Sequence, residues 1–147
     1  MNSKIENNLC KNKTRILIVD DHAIVRQGLI KLIDTEFDLM VCFEAENANQ
    51  ALKAIASQEF DLAIVDISLE DMNGLELTQK MKLRRPNLIV LILSMHDGLF
   101  YAQRALRAGA SGYVAKYEAA EKITTAIRQV LSGNIYISDS KAVINYA

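Results

Sequence analysis

Five short apolar runs, each followed by a segment with helical periodicity, constrain the fold of this chain more than any other feature. The runs are rich in Val and Ile, as expected for strands that are buried on both faces of a parallel sheet. Their alternation predicts a β–α unit repeated five times, with helices on both faces of the sheet and right-handed crossovers. The predicted strands lie at about residues 15–20, 39–44, 62–66, 89–93 and 112–115.

The segments between the runs repeat apolar residues at helical spacing. In the first segment, Val25, Leu29, Leu32 and Ile33 stand at positions i, i+4, i+7 and i+8. Gly109 is predicted to end the fourth helix, because glycine readily takes the left-handed conformation beyond a helix C-terminus. The predicted helices cover about residues 23–34, 48–56, 74–84, 98–108 and 123–131.

One domain, residues 15–133, is predicted between two short flanking segments. Residues 1–14 are polar and show no apolar period, which is typical of a flexible N-terminal arm. Residues 134–147 follow the last predicted helix and are too few to form a domain of their own. We therefore expect residues 134–147 to begin a linker to a further domain that is absent from this chain.

The composition argues against direct DNA binding, a zinc or redox site at cysteines, and a membrane-spanning segment. The formal net charge is −1, without the basic excess that is typical of a DNA-binding domain. Cys10 and Cys42 do not have the spacing of a zinc or redox site. No segment approaches about 18 consecutive apolar residues, and the N-terminus lacks the apolar core of a signal peptide. We therefore expect a cytoplasmic protein that has no membrane partner.

Polar side chains stand at the ends of four of the predicted strands. Ligands of open α/β sheets bind beyond the carboxyl ends of the strands, so we expect these side chains to meet. Any one of them alone is weak evidence, because acids are common where strands end, but their convergence indicates a site. They are Asp20 and Asp21 after the first run, Asp66 after the third, Ser94 after the fourth and Lys116 after the fifth.

The residue types at these positions favour metal-dependent phosphoryl transfer. Clustered carboxylates repel one another unless a cation intervenes, and Mg²⁺ binds through one or two carboxylates while it contacts phosphate. Asp66 lies between the paired acids and the lysine, and a carboxylate can act as the nucleophile that forms an aspartyl phosphate. Ser94 and Lys116 can then hydrogen-bond to the phosphoryl oxygens or neutralise them.

Two other classes of phosphate chemistry match the sequence less well. Phosphatases with an Asp-x-Asp motif need a second acid, and here Ser68 stands in that position. A dinucleotide-binding domain needs G-x-G-x-x-G after the first strand, where this chain has Asp20-Asp21-His22-Ala23. An interaction module that never becomes phosphorylated stays open as a third class.

Several sequence pieces occur in a specific order on these elements. They are Asp20-Asp21-His22, Asp66-Ile67-Ser68-Leu69, Met72-Asn73-Gly74, Leu93-Ser94-Met95-His96-Asp97, Ala108-Gly109-Ala110-Ser111-Gly112-Tyr113 and Lys116. With these pieces, residues 15–133 resemble the receiver domain of bacterial two-component response regulators. The resemblance implies a flavodoxin-like (βα)5 fold, a doubly wound parallel five-stranded sheet with strand order 2-1-3-4-5.

The resemblance also implies a role for each pocket residue. Asp66 would be the phosphoacceptor and would share an Mg²⁺ ion with Asp20, Asp21 and the backbone carbonyl of Ser68. Lys116 would pair with the phosphate, and Ser94 would bind a phosphoryl oxygen after the transfer. Tyr113 would be the switch aromatic, which turns inward when Ser94 is drawn to the phosphate.

The first motif is similar to that of the LuxR/NarL transcription-factor subfamily, because Asp20-Asp21-His22 is followed by Arg26 and Gly28-Leu29. The resemblance implies phosphorylation by a sensor histidine kinase, homodimerisation on phosphorylation, and DNA binding only through a C-terminal helix-turn-helix domain absent from this chain. The dimer surface stays open between two faces, one formed by the fourth helix, fifth strand and fifth helix, the other by the first and last helices. A stand-alone receiver that serves a phosphorelay or binds another protein is the alternative.

Two positions depart from the receiver pattern: proline is common at both positions in that family, and this chain has another residue at each. Tyr117 follows Lys116, where we expect a trans peptide bond, since a cis bond to a residue other than proline costs about 2.5–4 kcal/mol. Glu70 stands four residues after Asp66 beside Asp71, and we expect the resulting acidic loop to be more mobile. His22 and His96 are predicted as loop residues at the pocket rim, and Arg104, Arg107 and Arg128 as solvated charges on helix faces.

Overall fold

The computed structural model describes residues 13–96 and 99–138 of the chain. Most of the predicted arm, residues 1–12, lies outside these residues, as do Asp97, Gly98 and residues 139–147 of the predicted linker. The strands are β1 (Thr14–Val19), β2 (Leu39–Ala45), β3 (Leu62–Asp66), β4 (Ile89–Ser94), β5 (Gly112–Ala115) and β6 (Tyr136–Ile137). The helices are α1 (Ala23–Asp34), α2 (Ala48–Ser57), α3 (Gly74–Arg84), α4 (Leu99–Ala108) and α5 (Ala119–Leu131), with a 3-10 turn at Lys116–Glu118.

The strands form one parallel sheet in the order β2-β1-β3-β4-β5-β6. The predicted fold class and the order of its five strands are confirmed. Because β1 lies beside β3, the residues that follow these two strands are neighbours at one edge of the sheet. No helix among the described residues is long and apolar enough to cross a membrane.

Two apolar cores cover the two faces of the sheet, because successive side chains of each strand point to opposite faces. In β1, Leu17 and Val19 pack in the core beneath α2, α3 and α4, whereas Ile16 and Ile18 pack in the core beneath α1 and α5. All four side chains are fully buried. Burial on both faces explains why the strands read as continuous apolar runs rather than alternating ones.

The sheet has a sixth strand, in the segment after Gly133, that the sequence analysis did not predict. Tyr136 and Ile137 pair in parallel with Gly112 and Tyr113, and Ile137 is buried in the same core as Tyr113. Two residues are too few for a recognisable period, so sequence patterning could not detect this strand. The side chain of Ile137 is buried because β6 pairs with the outer edge of β5.

Glycine is required at two turns for different reasons. Gly109 has a φ of +110° and ends α4 in a Schellman motif, in which the Ala110 N–H donates to the Ala105 carbonyl at 3.0 Å. Gly74 begins α3 against the backbone that follows β3, where an added Cβ would lie 2.3 Å from the Asp66 carbonyl oxygen. The predicted helix-ending role of Gly109 is thereby confirmed.

Replacing Gly74 with Ala should destabilise the fold, because the new Cβ would meet backbone atoms that cannot move aside. We expect the free energy of unfolding in urea to fall by roughly 1–3 kcal/mol. Gly28→Ala is the matched control, since Gly28 is exposed within α1 and a Cβ there would meet no atom within 4 Å. The control should gain about 0.5–1 kcal/mol from helix propensity, and equal effects of both changes would contradict the steric interpretation.

Candidate functional site

Two acids and a lysine meet beyond the carboxyl ends of the strands. Asp20 follows β1, Asp66 ends the neighbouring β3, and Lys116 follows β5, two strands away. The Lys116 ammonium lies 3.0 Å from Asp66 Oδ2 and 3.1 Å from Asp20 Oδ2. The predicted convergence of these three residues is therefore present in the structure.

Burial makes this ion cluster strong. Asp20 and Asp66 are 0% and 1% exposed, and a buried carboxylate is costly unless it is paired and hydrogen-bonded. Burial of Lys116 would by itself lower the pKa of its ammonium, but the hydrogen bond to Asp66 and the ion pair with Asp20 outweigh this effect and raise the pKa above its ordinary value. Lys116 therefore carries a fixed positive charge at the centre of the site.

Asp21 and His22 complete an acidic cluster at the mouth of the site. His22 Nδ1 lies 2.9 Å from Asp21 Oδ1 and 3.1 Å from Asp20 Oδ1, although the histidine side chain is largely exposed. Asp20, Asp21, His22 and Asp66 each offer a ligand atom, and these atoms lie within 4.8 Å of one another. His22 thus belongs to the cluster itself, whereas the sequence predicted only a loop residue at its rim.

The cluster retains unused acceptor capacity that suits a cation. Asp20 Oδ2 and Asp21 Oδ1 are buried and accept no hydrogen bond within the described residues, although each lies near a basic nitrogen. Three carboxylates face one ammonium, so the acids outnumber their fixed counter-charge. Carboxylate oxygens at this density are the ligands that Mg²⁺ prefers, and the donor set fits a hard divalent ion.

Arg26 supports the acidic turn from beneath, a role that the sequence did not reveal. Its side chain is largely buried in α1 and donates to the backbone carbonyl of Asp20 at 2.6 Å. The same guanidinium donates to Glu44 at 3.1 Å, which ties the turn after β1 to β2. The sequence did contain a signal for the burial of Arg26, because this residue stands between Val25 and Leu29 on the apolar face of the helix.

The loop after β3 folds back on the aspartate that precedes it. The Ser68 N–H donates to Asp66 Oδ1 at 3.1 Å, and Ser68 forms an isolated bridge with Asn73. Gly74 N–H donates to the Ile67 carbonyl at 2.8 Å, which closes the loop onto the start of α3. One oxygen of Asp66 is thereby oriented by the loop and the other by Lys116.

Asp71 anchors the same loop through two hydrogen bonds that the sequence analysis did not predict. Its two carboxylate oxygens accept hydrogen bonds from the first backbone N–H groups of α2, at Ala48 (3.0 Å) and Asn49 (3.1 Å). Partial desolvation would raise the pKa of Asp71, but these two bonds outweigh it and hold the pKa below its ordinary value. The acidic loop is thus tied to a helix N-terminus, where negative charge is favourable.

Ser94 and Tyr113 are both buried and are joined through one residue. Ser94 Oγ accepts the His96 N–H at 2.9 Å, and the Tyr113 hydroxyl donates to the His96 carbonyl. The His96 ring in turn stacks on Tyr101 of α4, with ring centroids 4.4 Å apart. The loop after β4 therefore connects the end of that strand, the inward-facing tyrosine of β5 and helix α4.

The remaining sequence expectations have mixed outcomes. The Lys116–Tyr117 peptide is trans, as predicted, and Arg104 and Arg107 are exposed on α4. Arg128 is not a simple solvated charge, because it donates to both carboxylate oxygens of Asp38 at 2.6 and 2.8 Å. This ion pair spans 90 residues of sequence, which is why helical patterning could not reveal it.

Comparison with known protein families gives a match over most of the described chain. Residues 16–128 match the family model described as "Response regulator receiver domain". A solved structure of a LuxR-family two-component response regulator from Aurantimonas sp. SI85-9A1 is similar, with a TM-score of 0.83 and 33% identity. That alignment covers 89% of this chain and 93% of that one.

Curated relatives are longer than this chain. The transcriptional regulatory protein DegU of Brevibacillus brevis is 33% identical over 127 residues, which are 86% of this chain and 54% of the relative. The transcriptional activator protein ExaE of Pseudomonas putida is 35% identical over 127 residues, which are 86% of this chain and 59% of the relative. The chain thus spans little more than half the length of these relatives.

Replacing Asp71 with Asn should weaken the anchor of the loop after β3, because the amide has one acceptor oxygen and no charge. We expect the free energy of unfolding at neutral pH to fall by about 0.5–1 kcal/mol, since the carboxylate is exposed. Because the folded pKa of Asp71 is lowered, its contribution is fully present above its ordinary pKa of 3.8. The contribution is lost as the pH falls through the folded value.

The difference in urea stability between the parent chain and Asp71→Asn, measured from pH 7 to pH 3, should therefore shrink only at the acidic end. Taking the difference cancels the titration of the other carboxyl groups. Glu70→Gln, a change at an exposed neighbour in the same loop, is the control and should show little effect at any pH. A difference that grew on acidification would contradict the assigned pKa direction.

Proposed function

The chain belongs to the family of response regulator receiver domains, and on that premise we propose that Asp66 accepts a phosphoryl group from a histidine kinase. The observation that carries the proposal is the Lys116 ammonium, which lies 3.0 Å from the Asp66 carboxylate in a largely buried pocket. A stand-alone relay or interaction module is less well supported, because the similar curated proteins are named as transcriptional regulators.

In the proposed step, a carboxylate oxygen of Asp66 attacks the phosphorus of a phosphohistidine. The new O–P bond forms as the P–N bond breaks, and the electron pair leaves with the histidine nitrogen of the kinase. The Ser68 N–H holds one oxygen of Asp66, and Lys116 lies at the other, so the carboxylate is oriented before the donor arrives. The receiver would thus be no enzyme toward other substrates and would catalyse only its own phosphorylation and dephosphorylation, mainly by positioning and charge stabilisation.

Mg²⁺ would be held by Asp20, Asp21 and Asp66, with the backbone carbonyl of Ser68 as a further ligand. Two buried carboxylate oxygens without a hydrogen bond among the described residues support this assignment. When bound, the ion would offset the charge that builds up on the phosphoryl oxygens. Arg26 would preserve the ligand geometry, because it holds the Asp20 backbone.

Ser94 and Tyr113 would report the phosphoryl group. Ser94 Oγ already accepts the His96 N–H, and its hydroxyl can donate to a phosphoryl oxygen without losing that bond. Tyr113 is fully buried and bonded to the His96 carbonyl, so it already faces inward here, and phosphorylation would favour this position over an outward one. Phosphorylation would then bias an existing equilibrium of the loop after β4 and of helix α4.

The output of the whole protein would be control of transcription in the cytoplasm, through homodimerisation and a C-terminal DNA-binding domain. Two observations support this proposal: the similar proteins DegU and ExaE are named as transcriptional regulators, and the chain matches little more than half of their length. The net charge of −1 agrees with a domain that does not bind DNA by itself. Dimerisation would use either the α4, β5 and α5 face or the α1 and α5 face.

Incubation with acetyl phosphate and Mg²⁺ should raise the intact mass by one phosphoryl group. Asp66→Asn should abolish the gain, because it removes the attacking oxygen while it keeps nearly the same shape. Omission of Mg²⁺ with excess chelator should slow the gain by at least about tenfold, since the acids would then face the phosphoryl charge alone. Intact-mass spectrometry over time measures all three reactions.

Two outcomes would defeat this assignment. One is the absence of any phosphoryl gain in the parent chain, and the other is an equal gain in Asp66→Asn. Asp71→Asn is a useful matched variant, because it makes the same chemical change in the same loop without touching the pocket. Its phosphoryl gain should be retained.

Replacing Lys116 with Ala should uncouple phosphorylation from dimerisation. The variant would lose the only ammonium that contacts Asp20 and Asp66 within the described residues, so any phosphate accepted would not be read out. Light scattering after gel filtration, with and without acetyl phosphate, should show a phosphorylation-dependent dimer for the parent chain and a monomer for the variant. Lys80→Ala, at an exposed lysine near Glu76, is the control; a dimer in both variants would refute the role of Lys116.

A further inference from the structure

The strand that carries Tyr113 and leads into Lys116 is held on its outer side by residues after α5. Tyr136 N–H donates to the Ser111 carbonyl at 3.1 Å, and Ser138 N–H donates to the Tyr113 carbonyl at 3.0 Å. These bonds follow the regular parallel ladder of β5 and β6. The next position of the ladder departs from this pattern.

At that position, a side chain replaces a backbone acceptor. With Tyr113 paired to Ile137, a regular ladder would direct the Ala115 N–H to the carbonyl of Ser138. Instead, the Ala115 N–H donates to the Ser138 hydroxyl oxygen at 3.0 Å. Ser138 therefore contacts β5 twice, through its backbone N–H at Tyr113 and through its side chain at Ala115.

The hydrogen bond from the Ala115 N–H to the Ser138 hydroxyl is buried. Ala115 is 1% exposed and Ser138 is 7% exposed, so water would not readily replace the hydroxyl. A buried backbone N–H without a partner is strongly unfavourable, and β5 would tend to shift in order to satisfy it. The hydroxyl thus fixes the last residue of the strand in place.

Ala115 is the residue immediately before Lys116. Its backbone begins the 3-10 turn at Lys116–Glu118, and that turn sets where the lysine side chain leaves the chain. The ammonium must then cross from β5 to Asp66 of β3, with β4 between them. A small change in the backbone at Ala115 is therefore carried to the far end of a long side chain.

We propose that Ser138 is a positioning residue for Lys116, acting through the Ala115 N–H. The inference rests on the proposed phosphorylation of Asp66 and extends it to a residue that follows the last helix. Ser138 also bonds the Tyr113 carbonyl, so it contacts the backbone of Tyr113 and that of the residue immediately before Lys116. Because coupling is reciprocal, a displacement of β5 on phosphorylation would alter how tightly this segment is held.

The first measurement tests the hydrogen bond itself by amide hydrogen exchange. Ser138→Ala should speed exchange of the Ala115 amide by at least about tenfold, because the N–H loses its acceptor. Ser138→Thr keeps a hydroxyl and should restore protection. Ser132→Ala is the matched control, since the Ser132 hydroxyl is exposed and donates only to the Arg128 carbonyl of its own helix. It should leave Ala115 unchanged.

The second measurement separates positioning from general loosening. With acetyl phosphate at saturating Mg²⁺, Ser138→Ala should be phosphorylated about tenfold more slowly than the parent chain, whereas its Mg²⁺ affinity should change less than about twofold. The reason is that Ser138 bonds the backbone of β5, whereas the proposed metal ligands stand at the ends of β1 and β3, and a displaced Lys116 ammonium would not by itself weaken a cation held by those ligands. A merely structural role would reduce both quantities together, or neither.

The possible results distinguish this inference from the proposed function. If the parent chain gains no phosphoryl group, the proposed function fails, whatever the exchange data show. If the parent chain reacts and Ser138→Ala reacts at the same rate despite faster exchange at Ala115, only the positioning role of Ser138 is refuted. Unchanged exchange at Ala115, or a matching loss of Mg²⁺ affinity, would refute it as well.

Discussion

The ammonium of Lys116 between two buried carboxylates is the interaction on which the rest of this domain depends. Asp20 and Asp66 are buried almost completely at the ends of neighbouring strands, and buried carboxylates in one site repel each other unless a cation lies between them. The lysine supplies this charge from β5, across the width of β4. It therefore ties three strands together at their carboxyl ends, and the sheet order is what makes the reach possible.

The same interaction leaves a charge imbalance that suits the proposed chemistry. Within the described residues of the pocket, the three carboxylates outnumber the one ammonium by two. A divalent cation would balance this excess, and an incoming phosphoryl group would bring new negative charge to the same place. The excess of carboxylates therefore disfavours the metal-free pocket and favours the pocket that holds both a divalent cation and a phosphoryl group.

The sequence predicted the sheet because burial on both faces leaves a period-free apolar run that local patterning can detect. The pocket residues were predictable for a related reason, because strand ends are fixed once the strands are known. Contacts between distant segments were not predictable: Asp71 with the start of α2, and Arg128 with Asp38. Each depends on tertiary proximity, and β6 is too short to carry any pattern at all.

The loop after β4 links the proposed sensor, Ser94, to the proposed switch, Tyr113. Both residues bond the backbone of His96. Its N–H donates to Ser94, and its carbonyl accepts from the Tyr113 hydroxyl. If the Ser94 side chain shifts toward a phosphoryl oxygen and keeps the His96 N–H bond, the His96 backbone shifts with it, and so does the carbonyl to which the Tyr113 hydroxyl donates. Ser94 and Tyr113 therefore cannot respond independently, and α4 is drawn in because the His96 ring stacks on Tyr101.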